Sequence, residues 1–135
     1  MTYDIDAFNR RGDGYLPGLI GLEVTSVEPG RLRARLELRP ELMAPNGYLH
    51  AATVITVADT ACGYGTRIDL PKEAKGFTTL ELKANFLGTA REGAIECEAV
   101  RAHHGAGTQV WDAVVTAAAA GKTIALFRCT QFILR

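Results

Sequence analysis

The chain has 135 residues, of which 47% are hydrophobic and 22% charged, and fifteen basic side chains offset fifteen acidic ones. That length suits one domain over residues 1–135 and stops short of two, and about 70% of the unfolded surface can be buried without disulfide or metal staples. The composition excludes a disordered chain, and the charge balance argues against a nucleic-acid binder or an anionic membrane as partner.

The first stretch, MTYDIDAFNRRGDG, lacks the apolar run of a signal peptide. Residues 4 to 12 read as a short helix with Asp4 as its cap and Ile5 and Phe8 on one side, so residues 1–17 form an N-terminal helical extension. Two strands follow, GLEVTSV and RLRARLEL, separated by the turn EPG. The second alternates Leu32, Ala34, Leu36 and Leu38 against Arg31, Arg33, Arg35 and Glu37, the pattern of a sheet with one dry and one wet face.

RPELMAPNG is a loop, and the apolar segment that begins near His50 is long enough for a helix of about four turns. Ala51, Val54, Val57, Ala58 and Ala61 keep the helical spacing, while Ala52 and Ile55 fill the flanks, so the helix is expected to be buried. The glycines of GYG weaken it near residue 65. Four strands complete the chain: FTTLELKANFL, GAIECEAVRA, TQVWDAVVTAAA and KTIALFRCTQFIL. In the first of these, Thr78, Leu80, Leu82, Ala84 and Phe86 alternate with Thr79, Glu81, Lys83 and Asn85. Trp111 and Asp112 fall in a strand as core and sheet-face residues, and the alanines at 117 to 120 end a strand entering a hairpin. One long helix with a one-faced antiparallel sheet makes an α+β domain in which the sheet wraps the helix.

Cys62, Cys97 and Cys129 are odd in number and scattered, with no Cys-x-x-Cys pair and no Cys/His cluster at zinc spacing, so no metal site is expected. Free thiols of this kind suit a reducing compartment, and nothing approaches a membrane-spanning length, so a soluble cytoplasmic protein is expected.

Asp59 interrupts the apolar helix. Ordinary arrangements for such a residue are exposure to water, a pair with a base such as Arg67, or a local bond to Thr56 or Thr60. A buried ionised carboxylate costs several kcal/mol unless compensated, which instead points to a partner or a task. The turn NGYLHAA before the helix offers unpaired backbone N–H groups near His50 and Ala51, which suit an oxyanion. Ala51 and Asp59 are roughly 12 Å apart along one helix at 1.5 Å per residue. If both act on one carbonyl, they come from two chains whose helices run antiparallel in a twofold dimer.

The pattern Gly47-x-x-His50-Ala51-Ala52, then Ala58-Asp59-Thr60-Ala61, then TTLELKANFLGTAREG, resembles the hotdog-fold acyl-CoA thioesterases, in particular the phenylacetic-acid-degradation (PaaI-like) branch. The likeness runs from about residue 18 onward. It implies a hotdog fold and hydrolysis of an acyl-CoA to free acid and CoA, with no cofactor beyond the CoA of the substrate, in a homodimer assembled into a homotetramer. On that resemblance Asp59 is the catalytic carboxylate, Ala51 supplies the oxyanion N–H, His50 positions the carbonyl and Thr79 orients the nucleophilic water. Substrate contacts fall to Asn46, Gly47, Ala52, Cys62, His103 and Gly105. Two departures stand out. The usual His-Gly-Gly is His-Ala-Ala here, and Ala44 stands where relatives carry an asparagine, with Asn46 as a nearby substitute. A hotdog hydratase or dehydratase and a non-catalytic acyl-CoA sensor are the alternatives.

Overall fold

The computed structural model describes residues 3–135, so the first two residues of the N-terminal extension lie outside the described residues. Helix α1 (Ile5–Arg11) starts where the sequence predicts, with the Asp4 carboxylate accepting from the Ala7 N–H at 3.2 Å. Ile5 and Phe8 pack against the core. Asn9 ties this helix to the sheet, accepting from the Val24 N–H at 2.6 Å and donating to the Val24 carbonyl at 3.2 Å.

A second short helix, α2 (Leu16–Ile20), follows where none is expected, closed by Gly21 in the left-handed region at φ 84. Gly21 therefore caps a helix, and strand β1 (Glu23–Glu28) begins two residues later. Strand β2 (Arg31–Glu37) keeps its predicted alternation, with Leu32, Ala34 and Leu36 buried.

Helix α3 (Ala51–Ile68) is the single long helix and buries Val54, Val57, Ala58, Ala61, Cys62 and Thr66 against the sheet. It does not weaken at residue 65. A Cβ on Gly65 would come within 2.8 Å of Cζ3 of Trp111, so the glycine makes room for the indole rather than ending the helix. Trp111 is fully buried, as expected of a core residue, and Asp112 faces outward in a pair with Arg128.

Strands β3 (Gly76–Phe86), β4 (Ala94–His104), β5 (Thr108–Ala117) and β6 (Thr123–Leu134) complete one antiparallel sheet in the order β1-β2-β4-β5-β6-β3. The sheet wraps α3, which is the hotdog architecture. Because β3 follows the helix yet pairs with β6, the chain must cross to the far edge of the sheet.

The alternation predicted for β3 breaks at a bulge between Thr79 and Glu81. Thr79 pairs with the inward-facing Gln131, whereas beyond the bulge Leu82, Ala84 and Phe86 pair with the inward Cys129, Phe127 and Ala125. One extra residue reverses the phase. Thr79 thus points toward the helix and does not share a wet face with Glu81, which bonds Thr130 on the outer surface. Leu80, Leu82 and Phe86, with Leu87 just beyond, stay exposed along this edge.

Candidate active site

The N-terminus of α3 is arranged by its first few residues. The His50 Nδ1 accepts from the Ala52 N–H at 2.9 Å, and the His50 carbonyl accepts from the Thr53 N–H at 3.0 Å. That leaves the Ala51 N–H without an acceptor among the described residues. With Nδ1 accepting, the proton of the neutral imidazole sits on Nε2, which is free to donate. Ala51 lines a cavity of about 420 Å³ together with Tyr48, Val54, Phe86 and Leu87. A free amide donor at the positive end of a long helix, beside a second donor, is an arrangement able to hold an oxyanion.

The preceding turn holds this end in place. Gly47 adopts φ 90, which favours glycine, and its carbonyl accepts from Arg91 at 3.2 Å. The Asn46 side chain accepts from the Tyr48 N–H at 3.1 Å, so it closes the turn. Ala52, exposed, gives its N–H to the His50 cap.

Asp59 sits in a separate cavity of about 300 Å³, with Thr79, Gly63, Tyr64 and Phe77 among its walls. It is half-buried and pairs neither with Arg67 nor with Thr56, whose hydroxyl bonds the Ala52 carbonyl instead. Its partner is Thr79, whose hydroxyl lies 3.4 Å from Asp59 Oδ1. Burial lifts the carboxyl above its usual 3.8, and the Thr79 bond pulls it partly back. A carboxylate raised in this way is a better proton acceptor near neutral pH than an ordinary one.

The Thr79 hydroxyl also lies 2.7 Å from Oε1 of Gln131, a fully buried amide that sequence reading missed. One hydroxyl proton cannot serve both oxygens. Gln131 faces Gln109 across β5 and β6, Gln109 Oε1 accepts from the Trp111 indole at 2.8 Å, and both glutamine Nε2 atoms are without partners. A half-turn of the Gln131 amide turns its Nε2 toward Thr79 as a donor and frees the hydroxyl proton for Asp59. Gln131 then donates to Thr79, and Thr79 to Asp59. The sequence signal for these residues is a polar side chain at an inward position of an otherwise apolar strand face.

Three predicted residues lie outside the Asp59 cavity. Cys62 is fully buried in the core beside Cys129, which together with burial pushes its thiol well up, so it does not line the cavity as expected. His103 and Gly105 lie at the β4–β5 hairpin, where His104 pairs with Gln109 three strands from Thr79. At about 4.8 Å per strand this is about 14 Å. A larger depression of about 570 Å³ lies on the outer face of the sheet around Arg33, Arg35 and Glu98, away from these groups.

A hotdog domain with an amide donor at the start of its helix and a half-buried acid further along it carries the groups that acyl transfer requires. The family model of the thioesterase superfamily matches residues 46–124. The chain belongs to that superfamily and is a thioester hydrolase. It is 32% identical over 111 residues to the 1,4-dihydroxy-2-naphthoyl-CoA hydrolase of Listeria monocytogenes, covering 82% of this chain and 89% of that one. A thioesterase family protein from Silicibacter pomeroyi superimposes with a TM-score of 0.83 at 30% identity, over 96% of this chain and 93% of the other. A mutant thioesterase from Pseudomonas aeruginosa shares the fold at a TM-score of 0.93 and 23% identity, over 99% and 96% of the two chains.

Proposed function

We propose that the chain hydrolyses acyl-CoA thioesters at a site shared between two subunits of a homodimer. The observation that carries this reading is the separation of the free Ala51 N–H from Asp59, which stand in different cavities eight residues apart on one helix. At roughly 12 Å they cannot serve one carbonyl within a chain. A partner helix running the other way would bring residue 51 of one subunit to residue 59 of the other. The uncovered edge of β3, with Leu80, Leu82 and Phe86 exposed, is the natural seam for such a dimer.

In this arrangement the thioester oxygen accepts from the Ala51 N–H and from His50 Nε2–H of one subunit. Asp59 of the other takes a proton from water as the water oxygen bonds to the carbonyl carbon. The tetrahedral oxyanion is held at the helix end until the C–S bond breaks and the CoA sulfur leaves, taking a proton to become the thiol. Direct attack by Asp59, giving an anhydride that water then cleaves, uses the same groups. Thr79 fixes the carboxylate in either case. Gly47, Asn46 and Ala52 shape the approach to the oxyanion end, and His103 and Gly105 are offered to the CoA moiety. The mechanism draws on no cofactor beyond that CoA.

The name of the Listeria relative supports an aryl-CoA as the substrate type. Pairing of dimers into a tetramer, membership of the PaaI-like branch and a cytoplasmic location complete the reading, the last supported by three free buried thiols. The test is CoA release from an acyl-CoA panel by wild type and Asp59→Asn. Release that the variant loses supports hydrolysis, while saturable binding without release would establish a sensor instead.

A further inference from the structure

Two guanidiniums stand at the far end of the Asp59 cavity. Arg67 lies eight residues beyond Asp59 on α3, roughly 12 Å along the axis, with Gly63 midway on the same stripe. Arg11 reaches in from α1, which Asn9 pins to the sheet. Both arginines line the Asp59 cavity, and both also line an adjoining cavity of about 250 Å³ walled by Tyr3, Phe8 and Ile68. They therefore sit where the two spaces join.

Neither arginine is ion-paired to a carboxylate among the described residues. Asp69, the acid closest to Arg67 in sequence, is taken by Arg101 at 2.6 Å, and Asp4 is paired with Arg10. Burial and then the charge of Arg11 hold the Arg67 guanidinium below its usual range. Burial lifts the Tyr64 phenol, and Arg11 draws it partly back, so a hydroxyl belongs to the same cluster. A cation at a helix C-terminus is ordinary, and each arginine occupies a last turn. That accounts for one charge per helix, but not for two exposed like charges lining one cavity with no acid paired to either.

We infer that Arg11 and Arg67 form an anion-binding end to the acyl pocket, so that the preferred substrate is an aryl-CoA bearing an acidic substituent remote from the thioester. The inference rests on the hydrolase reading above and names the substrate class of that same site. Besides Asp59 and the arginines, the cavity is lined by Pro17, Thr60, Gly63, Tyr64, Phe77 and Thr79, two of them aromatic rings. Such walls suit an aromatic ring, whereas the amides of a pantetheine arm would be left largely unpaired there. A carboxylate at the end of the ring meets the fork of a guanidinium, the geometry in which charge-assisted hydrogen bonds are strongest.

The phosphates of CoA carry the same anionic chemistry, and the experiment separates the two sources. CoA release is measured from a naphthoyl-CoA with a distal carboxylate and from its neutral methyl-ketone counterpart, using wild type, Arg67→Met and Arg11→Met. Wild type should favour the carboxylate by about tenfold in kcat/KM at low salt, a preference that shrinks as ionic strength rises. Either variant should bring the ratio close to one by losing activity mainly on the carboxylate compound. Equal turnover of both compounds by wild type would overturn the inference while leaving hydrolysis intact. Variants that slow both compounds by one factor would also overturn it, assigning the guanidiniums to the CoA phosphates. Release from neither compound, nor from any simpler acyl-CoA, would overturn the hydrolase reading and this inference with it.

Discussion

The Thr79 hydroxyl on β3 stands 3.4 Å from Oδ1 of Asp59 on α3, a contact that exists only because a bulge turns Thr79 toward the helix. This bond favours the ionised carboxylate and opposes the effect of burial. Removing it in Thr79→Val should raise the Asp59 carboxyl further. The acid limb of the kcat/KM profile should then move to higher pH, and kcat on its plateau should fall about tenfold, the order of one hydrogen bond. An unshifted limb would show that Thr79 does not act on the base.

The Gln109–Gln131 pair adds a second route to the same carboxylate. Gln131→Leu removes the amide that bonds Thr79 and leaves that part-buried hydroxyl short of a partner, so stability should fall by about 1–3 kcal/mol. Its distinguishing effect is on chemistry: the variant should shift the acid limb in the same direction as Thr79→Val, and the double variant should shift it little further. Additive shifts would disconnect the two residues.

Asp59 should also reveal its cost in stability. Its folded-state pKa is raised above the unfolded 3.8 because burial disfavours the charge. Below the unfolded value both states are protonated and nothing is lost. As pH rises through the folded value the ionised group remains in a half-dry site, and folding weakens. Asp59→Asn should therefore melt a few degrees higher than wild type at neutral pH, with the gain vanishing in acid below about pH 4. Its hydrolysis rate should drop on the order of 10²–10⁴ fold. A variant that melts lower at neutral pH would contradict the burial argument.

Much of this architecture was legible before any coordinates. The alternation of Leu32, Ala34 and Leu36 marks one dry sheet face, and the apolar run after His50 marks the central helix. What stayed hidden depends on contacts between distant segments. Five residues, Leu16–Ile20, are too few to show a helical period. The helix runs through Gly63 and Gly65, and at Gly65 Trp111 occupies the space a methyl would need. A bulge is one residue of phase and leaves no mark in an alternating pattern, so alternation alone groups Thr79 with Glu81, from which the bulge parts it. The Asp59 and Ala51 ends of the site follow from local chemistry, while the approach of Arg11 to Arg67 depends on how α1 docks.

The glycine argument predicts unequal outcomes at two neighbouring positions. A methyl at residue 65 would enter the Trp111 ring, its Cζ3 at 2.8 Å, whereas at residue 63 the nearest atom is Cζ of Phe77 at 3.3 Å. Gly→Ala gains about 1 kcal/mol in a helix interior, and overpacking costs about 1–3 kcal/mol. Gly65→Ala should lower Tm in calorimetry, while Gly63→Ala should be close to neutral. Equal effects would mean that the indole yields easily.

The shared site can be tested by making each half defective in a different copy. Ala51→Pro removes the amide donor and puts the ring Cδ in its place without breaking the helix, because proline is well accepted at the first helical position and His50 already has the extended backbone, at φ -65 and ψ 131, that a following proline requires. Alone it should reduce kcat/KM about 10²–10³ fold with helix content retained by circular dichroism. Asp59→Asn disables the other half. In a heterodimer carrying one variant per chain, a site built across the interface pairs either two damaged halves or two intact ones. Differently tagged copies, co-expressed and purified as heterodimers, should regain about half of the wild-type rate per dimer. If each chain instead assembled its own site, every site would carry one defect, and the purified heterodimer would stay as inactive as its parents.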